Sequence, residues 1–182
     1  MKTLLENTKV KMIILCLALA ASFALGYSIG SPSPELKHSI KLDQIEQSML
    51  KETQGIGLRL INCKQAVEKG ESPDPDLCYQ LRLYGGAMIA RIYDGYGEPD
   101  YDRLSLKYLF GLAHYLNRGA LENLTAAEWQ QLFVDAEAAI EIYRTDLEDP
   151  NLLLDELDKL LEGKPFPAAF LAAYDIPYVD ND

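Results

Sequence analysis

The stretch LSLKYLFGLAHYL, Leu104 to Leu116, decides the fold. Leu104, Leu106, Leu109, Phe110, Leu112, Ala113 and Leu116 run round most of a helix circumference, and a helix that is apolar on nearly every side is stable only when other elements cover it. The spacing therefore predicts the buried central helix of a bundle, from about Tyr101 to Asn117.

The flanking sequence supplies the covering helices. Upstream, Leu42, Ile45, Met49, Thr53, Ile56, Leu60, Cys63 and Val67 recur at steps of three and four, one long seam ending near Gly70. Residues Glu71 to Asp76 form a turn in which Asp74 is placed to cap, and Pro75 to open, a second helix reaching about Asp94. A turn this short makes the two helices antiparallel neighbours. Downstream, Thr125 and Glu128 have capping-box spacing, with Leu124 and Trp129 as the staple around it. A fourth helix continues through Leu132, Phe133, Ala136, Ile140, Tyr143 and Leu147. Asp149 and Pro150 open a fifth, which carries Leu153, Leu154, Leu157, Leu160 and Leu161 and stops at Gly163. A short helix over Ala168 to Tyr174 and an extended tail follow. The fold class is all-α: a single N-terminal transmembrane or signal helix, then an antiparallel bundle of about five helices.

Lys2, Lys9 and Lys11 precede an uncharged run from Met12 to Pro34, and a basic flank before an apolar run orients a membrane helix with its amino terminus in the cytoplasm. Met12 to Ile29 is just long enough to cross a hydrocarbon core. The expected organisation is a cytoplasmic basic flank over 1–11, a signal-anchor helix or signal peptide over 12–30, a Ser/Pro spacer over 31–35 and an acidic helical domain over 36–182. This places the chain in a bacterial inner membrane, single-pass, with the domain periplasmic. The alternative is cleavage after Ser22-Phe23-Ala24 and release. Ala18, Ser22, Gly26 and Gly30 recur every four residues and give a small-residue face for a homodimer.

The chain carries a net −11, and residues 135–182 alone hold thirteen acidic against three basic side chains. Such a surface repels nucleic acid, which is bound by neutralising phosphates. It suits another envelope protein with a basic surface, steered by Glu137, Glu141, Asp155 and Asp158.

Cys63 and Cys78 lie outside the leader, and an even pair in an exported domain predicts a disulfide across the helix-one/helix-two turn. Asp94, Glu98, Asp100 and Asp102 gather four carboxylates in one loop, the oxygen density calcium wants, but Pro99 stands where an EF-hand needs Gly. A solvated turn is the simpler account. His114, in the central helix, reads as a hydrogen-bonded structural histidine. No HExxH, GxSxG or phosphate-loop pattern occurs, and no cofactor is expected. These features predict a non-catalytic, membrane-tethered protein-binding module. A compact, acidic, crosslinked domain of this kind would suit an inhibitor or immunity-type protein. Residues 63–86 bear a loose resemblance to small periplasmic immunity proteins, with no motif that names a family. The alternative is an enzyme or small-ligand binder whose pocket is lined by Tyr84, Tyr93, Tyr96, Tyr101, Tyr108 and Tyr115.

Overall fold

A hydroxyl starts the first helix. Ser33 accepts a hydrogen bond from the Leu36 N–H at 3.1 Å, and Pro34 fills the first helical position, where its missing N–H costs nothing. The Ser-Pro stretch thus supplies, from Ser33 onward, the start of helix α1, Pro34–Glu68. The computed structural model describes residues 33–97 and 102–174, which contain seven α-helices, two 3₁₀ turns and no strand. The chain divides into two units, residues 1–40 and 41–182. In the first, Leu36 and Ile40 are exposed. The expected anchor over 12–30, with its Ala18, Ser22, Gly26 and Gly30 face, lies outside the described residues. Among those residues no helix is long and apolar enough to cross a membrane.

In the second unit most of the seam read from the sequence is buried: Ile45, Met49, Thr53, Ile56, Leu60 and Cys63 belong to the interior, while Leu42 and Val67 at its two ends are half-buried. The one hydroxyl on it, Thr53, donates to the Met49 carbonyl at 2.8 Å, so no donor is stranded. Gly70, at φ +76°, turns the chain out of the helix. Asp74 then caps α2, Pro75–Tyr96, accepting from the Asp76 N–H at 2.8 Å. The two helices run antiparallel. Ile45 lies against Gly95 at one end, and Gly55 lies under the Tyr84 ring nearer the other. The Arg59 guanidinium sits 4.2 Å from the centre of the same ring and donates from Nε to Gln80 at 2.8 Å.

Helix α3, Leu104–Arg118, is the centre of the bundle: Ser105, Leu106, every residue from Tyr108 to His114, and Leu116 are buried. It is covered by α2, by α6 (Leu153–Leu161) and by α7 (Ala168–Tyr174). Phe170 of α7 backs onto Gly111 and meets Tyr108 edge-on at 5.6 Å. The capping box is present at α4, Ala126–Asp135: the Thr125 N–H donates to the Glu128 carboxylate at 2.7 Å, and the Glu128 N–H to the Thr125 hydroxyl at 3.3 Å. Asp149 caps a 3₁₀ turn, Pro150–Leu152, that leads into α6, and Gly163 at φ +71° ends it.

Two expectations need correction. The fourth helix is not continuous to Leu147. It breaks at Ala136, between α4 and α5 (Glu137–Arg144), with no Pro or Gly to cause it. Just past the break the buried Tyr108 hydroxyl accepts from the Ala139 N–H at 3.4 Å, and a side chain inserted into the backbone ladder in this way is a recognised source of helix interruption. The second correction concerns the crosslink. Cys63 and Cys78 are free thiols, buried as small apolar side chains where α1 meets α2. Burial, with Cys78 and Asp74 nearby, pushes the Cys63 thiol up to about 12, so the thiolate that attacks a disulfide or an alkylating agent is scarcely formed. Iodoacetamide at mild alkaline pH should therefore leave both cysteines unmodified in native protein and modify both after denaturation without reductant. A denatured chain that still resists alkylation would restore the disulfide.

Candidate functional site

A surface recess lies beside the break at Ala136. Val134 and Ala138, on either side of the break, form one wall, and the segment that joins α6 to α7 lines the recess with them. The opposite wall is Leu161, Phe166 and Pro167. Between them lies a half-open cleft of about 320 Å³, at the lower end of the range for ligand-holding clefts. Its walls are largely apolar. Val134, 68% exposed, is the most exposed of the large apolar side chains on the described surface. The mouth is charged: Lys164 donates to Glu137 across it at 2.9 Å, which holds the Glu137 carboxyl below its usual range. Asp135, also at the mouth, accepts from the Gln131 amide at 2.8 Å and pairs with no cation among the described residues. A smaller recess of about 150 Å³ lies over Trp129 and Leu124, with Glu71 and Glu122 beside it.

The four carboxylates expected to steer a partner are each engaged within the chain. Glu137 pairs with Lys164, and Glu141 with Arg144 at 2.5 Å. Arg103 takes both others, Asp155 and, at 2.7 Å, Asp158. Only Glu137 lines the cleft. Asp158 also serves the central helix, because its other oxygen accepts from the Ser105 N–H at 2.8 Å and so caps α3 from a different helix. Arg103 precedes α3 and offers no side-chain cap of its own. Asp158→Ala should thus lower stability by about 2 kcal/mol, through an unsatisfied helix-start donor and the loss of one of the two carboxylates on Arg103. Asp155→Ala loses an exposed pair and should cost under about 0.5 kcal/mol. Urea titration of the two variants separates them, and equal losses would show that the cap contributes nothing.

Of the acidic loop, Asp94 and Asp102 are exposed, while Glu98 and Asp100 lie outside the described residues. No cluster of three metal-ligating side chains occurs among the described residues. His114 is buried as expected, but neither ring nitrogen has a hydrogen-bond partner among the described residues, and burial with Arg118 nearby lowers its pKa to about 4. It stacks at a tilt on Phe110, 4.3 Å between ring centres. The tyrosines do not line the cleft. Tyr108 is wholly enclosed, and Tyr84, Tyr93, Tyr96 and Tyr115 are half-buried against the core; Tyr101 lies outside the described residues.

The molecule is thus an all-α bundle with an apolar cleft on its surface. No protein-family model, no curated protein and no solved structure matches the chain. Sequence reasoning missed the cleft, and named Tyr108 only as a pocket-lining tyrosine rather than as the buried ring against Ala139. A local signal existed for part of it: Pro165 and Pro167 bracket Phe166, and Val134 falls off the helix-four seam, two apolar groups with no place in the core pattern.

Proposed function

We propose that this chain is a non-catalytic helical module that binds another protein at the outer face of a bacterial inner membrane, tethered through residues 12–30. One observation carries the reading: the cleft at the α4–α5 break is lined by exposed Val134 and half-buried Phe166 under a charged rim, the apolar-centre, polar-edge pattern of a surface that meets a partner. The net −11 supports a basic partner, since opposite charge speeds encounter. An inhibitor or immunity-type role is the specific form of the proposal. The test is chemical crosslinking in intact cells, then affinity capture of the full chain from solubilised membranes. One co-purifying envelope protein in near-equal amount is the expected result. Recovery of the chain alone, after crosslinking shown to work on a known envelope complex, would overturn it.

A further inference from the structure

Resting on that reading, we infer that the cleft at the kink is the docking site, and that its occupant is a partner segment carrying an apolar side chain next to Lys or Arg. The volume fixes the first half. About 320 Å³ with one side open has room for one or two aliphatic side chains but does not enclose a small molecule, which needs most of its own surface covered. Val134, Leu161 and Phe166 would be covered by such a side chain, and removing their apolar surface from water drives the contact.

Charge fixes the second half. Asp135 stands at the mouth, where among the described residues it accepts from the Gln131 amide and pairs with no cation, so an incoming ammonium or guanidinium finds a carboxylate to pair with. Glu137 is held by Lys164, and that pair is exposed on both sides, worth at most about 1 kcal/mol. A basic residue on the partner can displace Lys164 at little cost. An acidic segment would meet the Asp135 carboxylate and find Lys164, the one cation at the mouth among the described residues, already paired with Glu137, so like charge disfavours it.

Tyr108 is buried behind this site. Its hydroxyl accepts from the N–H of Ala139, the neighbour of the lining residue Ala138. Phe170 fixes the Tyr108 ring from α7, the helix that follows the Phe166 segment.

The test pans a linear-peptide display library against the full chain in lipid nanodiscs and measures the enriched peptides on four proteins: the parent chain, Val134→Glu, Lys164→Glu and, as a control at an exposed apolar residue outside the cleft, Leu83→Glu. Enriched sequences should pair an apolar residue with Lys or Arg. Val134→Glu should weaken them at least tenfold, Lys164→Glu should strengthen them several-fold, and Leu83→Glu should leave them unchanged. Circular dichroism confirms that the surface variants are folded. Acidic sequences, no enrichment, or binding indifferent to Val134→Glu would each overturn the site. Peptides sensitive to Leu83→Glu instead would move docking to α2 and leave the protein-binding reading standing, which the crosslinking experiment decides separately.

Discussion

Acidification from pH 6.5 to pH 4 should destabilise the folded domain by roughly 3 kcal/mol through His114 alone, about 1.4 kcal/mol for each unit by which its pKa is lowered. In the unfolded chain the imidazole titrates near 6.5; in the fold, burial and the neighbouring Arg118 lower it to about 4. Above pH 6.5 both states are neutral and the full stability is present. Between the two values the unfolded state binds a proton that the folded state refuses, so stability falls as pH falls; below about 4 both are charged and the loss stops growing. Domains are stable by only about 5–15 kcal/mol, so one imidazole controls a sizeable share. Urea unfolding at pH 7, 5.5 and 4.5 measures it, above the range in which carboxylates dominate. His114→Leu should flatten the dependence. It should also match or exceed the parent at pH 7, because Leu has a similar volume and leaves no buried nitrogen unbonded. Parallel curves for parent and variant would remove His114 from the account.

That imidazole also shows where the sequence stops being legible. Periodicity placed His114 on a buried helix, and it is buried, because a 3.6-residue repeat specifies which face turns inward. What the ring touches depends on helices elsewhere in the chain, and the expected hydrogen bond is missing among the described residues. Caps were legible for the same local reason: Asp74, Thr125 and Asp149 each bond a backbone N–H two or three residues on. The cap on α3 was not, since Asp158 reaches Ser105 from 53 residues away. The break at Ala136 was not legible either, and the Tyr108 hydroxyl that meets the Ala139 amide beside it comes from 31 residues away. The four carboxylates look like a free acidic face in the sequence, which shows charges but not their partners. Folding brings Arg103, Arg144 and Lys164 to them.

Gly85 and Gly86 are adjacent on α2, and replacing each by Ala should move stability in opposite directions. A methyl group on Gly85 would stand 2.7 Å from the Ala113 carbonyl oxygen and 3.1 Å from the Asn117 nitrogen. Both are backbone atoms of the central helix and cannot rotate aside, so α2 and α3 must separate along their contact. Overpacking of this kind costs about 1–3 kcal/mol, and the better helix propensity of Ala returns only part of it. We expect a net loss near 2 kcal/mol for Gly85→Ala, and outright unfolding at physiological temperature for Gly85→Leu. On Gly86 the same methyl meets only the Asn117 side-chain oxygen, at 3.4 Å, an ordinary contact with a group that can turn. The backbone there is helical, so the entropy that glycine loses on folding is recovered, and Gly86→Ala should gain about 0.5–1 kcal/mol. Thermal melts of the two variants give the signs directly. A shared sign would mean that α2 does not approach α3 through Gly85, and the register that seats Tyr93 against Phe110, 5.7 Å between ring centres, would fall with it. Opposite signs would establish that Gly85 sets how closely α2 approaches the central helix.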